Sequence, residues 1–400
     1  MLKIPYKILN KLVMFKKYYN YLTQRNINSA ELEIEIFKDY IWRKVFQYTF
    51  DYNEKGLLDN IKLFVGDTSQ CRISGAFPRK MTLNTNGYDF AIFQDSRWVQ
   101  VSDNTIKITR YHDALPILSI DTVHTKNMEN HYKNLKAASK NSIYVCNSEP
   151  VRQDLIKIIP ELENKSYTIP CALPDNYSKV NDGIKLKSIL ISRLSSVCLL
   201  ETQKLKMIDR IKNAKKLDYI LHLATIEPRK NLRSLIKAWY YLHLKYGIKL
   251  IVNGSLGWKY QEILDEMKPY IKEGSLIHIE KLPPNELPIL YSHAKAFIFP
   301  SFGEGFGLPP KEAMQCECPV IVSDIPAHKW VMGDAVLYCD PYSINDISSK
   351  IEYLLFTEEG KEKQKELISK GLERLKLYDY RVVGEQWINL FDTLKGKKNA

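Results

Sequence analysis

The chain has 400 residues, 45% of them hydrophobic, and carries a formal net charge of +12 at neutral pH. This length exceeds what one ordinary hydrophobic core needs, so the sequence predicts two domains of roughly 150 to 200 residues each. The seven cysteines show neither a disulfide framework nor a zinc-ligand spacing, which favours a reducing cytosol and predicts no metal site. The basic residues are spread along the chain without a nucleic-acid-binding motif, so we expect no DNA or RNA partner.

The first 22 residues are basic and apolar. Their longest uncharged run is far shorter than the roughly 18 to 20 residues that span a bilayer, and they lack the apolar core and cleavage site of a signal peptide. Lysines interleaved with apolar and tyrosine side chains are typical of two structures. One is an amphipathic helix lying on an anionic membrane, and the other is an ordinary first helix with a solvated basic side.

The first half of the chain has the pattern of an α/β domain, in which helical segments alternate with short β-rich runs. Helices are predicted within 30–50 and near 124–140 and 149–159, and strands at 89–96, 105–113, 142–148 and 166–170. We place the end of this domain near residue 205, so that the first domain covers 1–205.

The second half, 206–376, alternates more regularly. Strands are predicted at 217–225, 248–255, 275–282, 294–301 and 319–324, and helices at 230–246, 258–273, 285–293 and 308–316. This order predicts a parallel sheet covered by helices on both faces, which binds ligands at the carboxyl ends of its strands. The last segment, 377–400, places Tyr380, Val383, Trp387 and Phe391 at helical spacing, which indicates a packing stripe.

A glycine-rich loop, GEGFG, follows the fourth strand of the second half and leads into a helix. Gly303, Gly305 and Gly307 permit positive φ and a close approach of the backbone to a ligand. Pro309 and Pro310 suit the first turn of a helix, where amide hydrogens lack partners. The predicted helix N-terminus can therefore bind phosphate without a metal ion.

Two carboxylates accompany this loop. We expect Glu304 on the loop and Glu312 in the first turn of the helix, where their oxygens can accept hydrogen bonds from ribose or sugar hydroxyls. The alternative is that Glu312 only favours the helix dipole and that Glu304 is exposed to solvent.

A second group of charges follows the first strand of the same domain. In the stretch EPRKN, Arg229 and Lys230 can make charge-assisted bonds to a pyrophosphate, and Asn231 can cap the next helix. Cations at one strand end and hydroxyl-binding acids at another predict a nucleotide diphosphate ligand.

Glu304 and Glu312 have an E-x7-E spacing within PSFGEGFGLPPKEAM, which follows EPRKN and precedes PVIVSDIPAHKWVMGDAVLYCDP. This pattern resembles the family 4 retaining glycosyltransferases over about 217–345. The resemblance implies the GT-B fold, in which two Rossmann-like domains face a central cleft. It also implies a nucleotide sugar on the C-terminal domain, the acceptor largely on the N-terminal domain, and a final helix that crosses back to the first domain.

The resemblance also implies roles for individual residues. Glu312 would bind the ribose hydroxyls, Glu304 the transferred sugar or its phosphate, and Arg229 and Lys230 the diphosphate. The loop that lines the phosphate and sugar would consist of Gly305, Phe306, Gly307 and Leu308. No cofactor and no metal ion is implied, because the helix end and the two cations can stabilise the charge of the leaving group.

The first domain contributes one matching feature, TRYHDALPI. By resemblance, His112 beside Asp113 contacts the donor sugar, although a structural histidine is the alternative. Asn147 and Ser148 follow the next strand and either bind ligand or cap a helix. The mechanism implied is attack on the face from which the phosphate departs, so no nucleophilic side chain is needed; Asp113 and Glu304 are the nearest nucleophiles otherwise.

Two departures from the family pattern are visible. Leu223, Ala224 and Thr225 stand where many relatives have a Gly-Arg pair, so phosphate binding would depend more on Arg229 and Lys230. The glycine-rich loop common near the N-terminus of relatives is also not evident.

The motifs EPRKN and GEGFGLPPKEA most resemble those of bacterial mannosyl- or rhamnosyl-type transferases of surface-polysaccharide assembly. This resemblance favours GDP-mannose over UDP-glucose as the donor. We expect a glycan or lipid-linked acceptor and a cytoplasmic location, with peripheral contact at the cytoplasmic face of the membrane if the N-terminus binds lipid. The alternatives are a sugar-nucleotide epimerase, a phosphorylase, or a catalytically inactive nucleotide-sugar-binding scaffold.

Overall fold

The computed structural model describes residues 29–32, 34–43, 56, 58–59, 62–66, 81–97, 99–119, 125–174 and 176–399. The basic segment 1–22 lies outside these residues. The described chain divides into two compact units, the first running to Ile169 and including the chain from Leu390 onwards, and the second covering Pro170–Asn389. Within the described part, no helix is long and apolar enough to cross a lipid bilayer.

The first unit is built on a parallel sheet of four strands. Its elements are β1 Ser29–Leu32, α1 Ile34–Ile41, β2 Leu63–Gly66, β3 Met81–Thr82, β4 Phe90–Phe93, β5 Val99–Gln100, β6 Ile106–Tyr111, α2 Leu115–Leu118, α3 Thr125–Ser139, β7 Ile143–Cys146, α4 Glu149–Ile158 and β8 Ser166–Thr168. The sheet order is β4-β6-β7-β8, while β1-β2 and β3-β5 form separate pairs. The strands and helices predicted from 89 to 170 are confirmed.

The second unit is built on a larger parallel sheet with helices on both faces. Its elements are α5 Gly183–Ser192, α6 Glu201–Asn213, β9 Tyr219–Leu223, α7 Leu232–Tyr246, β10 Lys249–Asn253, α8 Gln261–Glu273, β11 Leu276–Ile279, α9 Leu287–His293, β12 Ala296–Phe299, α10 Leu308–Gln315, β13 Val320–Ser323, α11 Pro326–Met332, β14 Leu337–Cys339, α12 Ile344–Phe356, α13 Glu358–Leu375 and α14 Tyr380–Asn399, whose last residues count with the first unit. All five predicted strands are confirmed, and β14 is a sixth that the sequence did not reveal.

Alternate residues of these strands enter two different hydrophobic cores. Tyr219, Leu221 and Phe297 belong to one cluster of buried side chains, whereas their neighbours Ile220 and Ile298 belong to the other. Successive side chains of a strand point to opposite faces, so the sheet is covered on both sides. This explains why the strands are continuous apolar runs in the sequence.

The boundary between the units differs from the one predicted. It lies at Ile169–Pro170 rather than near residue 205, because α5 and α6 pack into the core of the second unit. Leu186, Ile189 and Leu190 of α5 are buried in the same cluster as strand residues of the six-stranded sheet. The helices are therefore part of the second unit and do not link the two.

The C-terminal stripe is only partly as predicted. Val383 is buried, but Tyr380 is 43% exposed. Trp387 and Phe391 are half-buried, and Leu390 and Leu394 are also buried. Tyr380 is the first residue of α14, so the packing stripe begins after it.

Candidate functional site

The site lies where the strand order of the second unit reverses. The six strands are ordered β11-β10-β9-β12-β13-β14, so the chain moves outward in one direction from β9 and in the other from β12. Loops after two such neighbouring strands diverge and leave a crevice at their carboxyl ends, where doubly wound sheets bind ligands. EPRKN follows β9 and GEGFG follows β12, so both predicted motifs border this crevice.

An ion-pair cluster joins the two motifs. Lys230 Nζ lies 2.7 Å from Glu304 Oε1, and Arg229 Nη1 lies 3.1 Å from Glu304 Oε2. Arg229 also donates to the Gly303 carbonyl at 2.8 Å and to Glu227 Oε1 at 3.0 Å. The sequence predicted these cations and Glu304 as two separate groups, and the structure brings them into direct contact.

The cluster is partly buried and formally neutral. The Glu304 side chain is 10% exposed and that of Lys230 12%, so the alternative in which Glu304 is exposed to solvent is wrong. Burial alone would raise the pKa of the Glu304 carboxyl, but the charges of Lys230 and Arg229 outweigh it and hold the pKa below its ordinary value. Glu304 and Glu227 balance the two cations. Sequence reasoning missed Glu227 as a site residue, although it belongs to the EPRK motif.

Two neutral histidines and a phenylalanine lie beneath the cluster. Phe299, the last residue of β12, stacks with His222 at 6.0 Å and contacts His328 at 5.9 Å between ring centroids, and Lys230 Nζ lies 5.1 Å from its centroid. Burial lowers the pKa of His222 to about 4 and also lowers the pKa of His328. Nδ1 of each ring bonds a backbone carbonyl, of Ile298 and Ser323 respectively. Neither histidine carries a sequence signal that marks it as part of the site.

Of the three glycines in the glycine-rich loop, only Gly307 has a left-handed backbone conformation. Gly307 has φ of 86° and occupies the N-cap of α10, whereas Gly303 and Gly305 are not in the left-handed region. Pro309 and Pro310 lie in the first turn as predicted. Because proline has no amide hydrogen, the amides that remain at this helix start are those before the prolines.

Glu312 differs from its predicted position. It is the fifth residue of α10, so it lies in the second turn and not in the first. The helix begins only at Leu308, which moves Glu312 away from the N-terminus. There its carboxylate accepts a hydrogen bond from Tyr291 at 2.9 Å and another from Tyr177. Burial raises the pKa of Glu312, and the tyrosine hydroxyls oppose this increase.

The Asn231 side chain connects two loops by hydrogen bonds and makes no capping bond to a helix. It occupies the N-cap of α7 in the left-handed region, with φ of 55°, and its side chain makes no capping bond. Its amide instead donates to the carbonyls of Pro300 and Pro341 at 3.0 and 2.7 Å. These carbonyls follow β12 and β14, so Asn231 fixes the edge of the sheet that carries the site.

Lys311 is a fully buried lysine next to Glu312. Its Nζ lies 3.5 Å from the ring centroid of Phe306 and 4.3 Å from that of Tyr378, and it donates to the Cys171 carbonyl at 3.4 Å. Burial lowers its pKa to about 7. The Lys311 ammonium therefore contacts the ring of Phe306 in the glycine-rich loop.

The predicted residues of the first unit lie at the ends of the neighbouring strands β6 and β7. His112 is exposed, and its carbonyl accepts a bond from Asn147 at 2.9 Å. Asp113 accepts a bond from the Leu115 amide at 3.1 Å, which holds the start of α2. Ser148 caps α4 through its hydroxyl, so the helix-cap interpretation is confirmed for this residue.

No group of three or more His, Cys, Asp or Glu residues in the described ranges is placed to hold a metal ion. Cys316 and Cys318 are buried thiols whose pKa is raised by burial.

The matching family profile lies within the second unit. Residues 203–374 match the family profile described as Glycosyl transferases group 1. O-antigen chain mannosyltransferase B of Escherichia coli is 34% identical over 178 residues, which are 44% of this chain and 46% of that protein. O-antigen chain mannosyltransferase RfbU of Salmonella typhimurium is 37% identical over 134 residues, 33% of this chain and 37% of that protein. The chain thus spans less than half the length of these relatives.

Solved structures resemble the chain over a longer stretch. Sucrose-phosphate synthase of Thermosynechococcus elongatus superposes with a TM-score of 0.57 at 16% identity, covering 82% of this chain and 76% of that one. Anabaena HepE, solved in complex with UDP and glucose, gives a TM-score of 0.56 at 16% identity and covers 72% of each chain. These likenesses show the fold, which is α/β of the GT-B class, as predicted. Residues 203–374 are thus similar to glycosyl transferases of group 1, in agreement with the resemblance seen in the sequence.

Proposed function

We propose that the protein is a retaining, metal-independent hexosyltransferase that moves mannose from GDP-mannose to a glycan or lipid-linked glycan. The observation that carries the proposal is the Arg229, Lys230 and Glu304 cluster at the switch point of the six-stranded sheet. It places two cations within 3.1 Å of one carboxylate, at the edge where such sheets bind nucleotides.

The cluster suits a diphosphate leaving group. Without ligand, the cations are neutralised by Glu304 and Glu227, and a diphosphate would compete with Glu304 for them. Glu304 would then be free to accept bonds from the sugar hydroxyls. As the bond between the anomeric carbon and the phosphate breaks, negative charge grows on the leaving phosphate. The two cations would stabilise this charge in place of a metal ion.

The remaining site residues have supporting parts in this proposal. The amides of Phe306, Gly307 and Leu308, next to Gly305, would face the phosphate and sugar, and Glu312 would bind the ribose. By the family resemblance, His112 would contact the transferred sugar, and Asp113 beside it is the other candidate catalytic residue of the first unit. The acceptor hydroxyl attacks the anomeric carbon on the face from which the phosphate departs, and the leaving phosphate takes the hydroxyl proton. The configuration is therefore retained without a nucleophilic side chain.

The preference for mannose rests on the names of the two curated relatives, both O-antigen mannosyltransferases. HepE was solved with UDP and glucose, so UDP-glucose is the competing donor to test. We place the reaction at the cytoplasmic face of a membrane, where the basic N-terminal segment would contact anionic lipid and the acceptor would be presented.

Calorimetric titration of the metal-free protein with GDP, UDP, ADP, dTDP and GDP-mannose tests the proposal. We expect micromolar binding of GDP and GDP-mannose, weakened about tenfold or more in Glu312→Ala and in Lys230→Ala, because each removes a charged partner of the ligand. Lys329→Ala, which alters an exposed lysine paired with Asp324, is the matched control and should bind like the wild type.

Two results would contradict the proposal. If the wild-type protein binds none of these nucleotides, the site assignment is wrong. If GDP-mannose is consumed without an acceptor, releasing free nucleotide and an altered sugar, the protein is an epimerase and not a transferase.

A further inference from the structure

Glu312 is held by two tyrosines that come from different parts of the second unit. Tyr291 lies on α9 and is fully buried, and its hydroxyl donates to Glu312 Oε2 at 2.9 Å. Tyr177 lies in the segment before α5, is 7% exposed, and hydrogen-bonds the same carboxylate. Their ring centroids are 6.3 Å apart. The carboxylate is therefore fixed from two directions.

The segment that carries Tyr177 is itself tied to α9 and α10. The Val180 amide donates to Ser292 on α9 at 3.0 Å, and Gln315 on α10 donates to the Pro174 carbonyl at 3.3 Å. Lys179 pairs with Glu317, just beyond α10, at 2.7 Å. These contacts on both sides of Tyr177 keep its hydroxyl beside Glu312.

We propose that Tyr177 and Tyr291 are positioning residues that orient the Glu312 carboxylate for the vicinal hydroxyls of the donor ribose. This inference rests on the proposed function. A carboxylate has about four acceptor positions, and two tyrosine donors leave the others for a ribose. Held in one orientation, the carboxylate loses less conformational entropy when the nucleotide binds. A hydroxyl bonded to a charged acceptor also contributes more than a neutral pair.

The molecule supplies a matched control. Tyr219 is fully buried in the same hydrophobic cluster, but its hydroxyl donates to the Leu290 carbonyl at 2.7 Å and not to Glu312. Tyr219→Phe therefore removes an equivalent buried hydroxyl without touching the carboxylate. Any general cost of losing such a hydroxyl appears in this variant as well.

The experiment measures ribose discrimination in the full chain. The ratio of dissociation constants for 2′,3′-dideoxy-GDP and GDP is determined by calorimetry for the wild type, Tyr291→Phe, Tyr177→Phe, the double variant and Tyr219→Phe. We expect the ratio to fall by about tenfold in each tyrosine variant facing Glu312, and to keep its wild-type value in Tyr219→Phe. If the substitution only disturbed the local structure, it would weaken the binding of GDP and of 2′,3′-dideoxy-GDP equally, and the ratio of their dissociation constants would not change.

The pH dependence of GDP affinity gives a second readout. Among the described residues, the titratable groups that face Glu312 are Tyr177, Tyr291, Lys311 and Cys316. Removing a tyrosine hydroxyl favours the neutral carboxyl, so the loss of GDP affinity on the acid side should move to higher pH in Tyr291→Phe. It should not move in Tyr219→Phe.

The outcomes separate the two proposals. If the wild type binds GDP and Glu312→Ala abolishes discrimination, but both tyrosine variants keep the wild-type ratio, the positioning role is wrong and the proposed function stands. If the wild type binds no nucleoside diphosphate, the proposed function fails and the positioning role falls with it. Should a tyrosine variant be too unstable for titration, a double-mutant cycle of Tyr291→Phe and Glu312→Gln in urea unfolding tests the contact itself, and additive effects would overturn it.

Discussion

At the scale of single residues, Lys311 is the most unusual group of the second unit. Its side chain has no exposed area and lies among Phe306, Tyr378 and the Cys171 carbonyl. The two rings offset part of the cost of burying an ammonium through cation–π contacts. The remaining cost appears as a pKa lowered to about 7 by burial.

This shift predicts a specific pH dependence of stability. In the unfolded chain a lysine stays protonated up to about pH 10.4, so between pH 7 and 9 the unfolded state binds more protons at this residue than the folded state. Folding stability should therefore rise with pH over this range, by at most about 1.4 kcal/mol per pH unit. Lys311→Met should lose this rise and be the more stable protein at pH 7.

Urea midpoints at pH 7, 8 and 9 check the prediction. Lys329→Met, a change at an exposed lysine, is the control and should retain the wild-type trend. A Lys311→Met variant with the same pH trend as the wild type would mean that the ammonium reaches water in solution.

The sequence could not indicate this arrangement, because lysine is almost never fully buried and nothing in PPKEA distinguishes Lys311 from a surface residue. Arg229, Lys230 and Glu304 were recognisable because charged residues at strand ends in a parallel sheet converge on one edge. The ion pair of Lys230 with Glu304 was not recognisable, since it depends on the side-chain conformations of residues 74 positions apart.

At the scale of elements, the start of α10 depends on one glycine. Gly307 has φ of 86°, and a side chain there would adopt a left-handed backbone that costs about 1 to 2 kcal/mol. An added Cβ would lie 3.4 Å from His328 and 3.5 Å from Met332, which are ordinary contacts. The strain, rather than a clash, is therefore what Gly307→Ala introduces.

Gly307→Ala should lower both stability and donor affinity. The strained residue would shift the adjacent Phe306 and Leu308 amides, so we expect GDP affinity to fall about tenfold or more. Gly247→Ala, at the C-cap of α7 with φ of 72° and open space around it, is the matched control. Urea unfolding should give a similar loss for both variants, and calorimetry should show weaker GDP binding only for Gly307→Ala. Equal affinities would show that the loop tolerates the shift.

Strands were predicted correctly from the sequence where burial on both faces of the sheet makes them continuous apolar runs. The five strands were predictable because each is an apolar run bounded by turn residues and buried on both faces. Three-residue β14, which pairs with β13, is too short to stand out from its surroundings. The second-turn position of Glu312 depended on the exact start of α10, and helix ends are the least certain part of such predictions.

At the scale of the whole molecule, the compact second unit extends beyond the segment that the family profile matches. The family profile covers 203–374, whereas the compact second unit is Pro170–Asn389. The additional residues carry part of the core, because one hydrophobic cluster contains Leu173, Tyr177, Leu186, Ile189, Leu190, Leu194 and Tyr378. A boundary near 205 was predicted from a change in pattern, and such a change does not report on which core a helix packs into.

The two boundaries predict different behaviour for isolated fragments. A fragment of residues 170–389 keeps both hydrophobic clusters and the ion-pair cluster, so we expect it to be monomeric, to unfold cooperatively and to bind GDP within a few-fold of the full chain. A fragment of residues 206–376 begins inside α6 and lacks the apolar residues that cover one face of the sheet. The exposed patch should make it aggregate or melt at a much lower temperature, which size-exclusion chromatography and thermal denaturation would measure. If 206–376 folds and binds GDP as well as 170–389, then α5 and the chain around Tyr177 are dispensable, and the positioning of Glu312 by Tyr177 would be refuted by the same result.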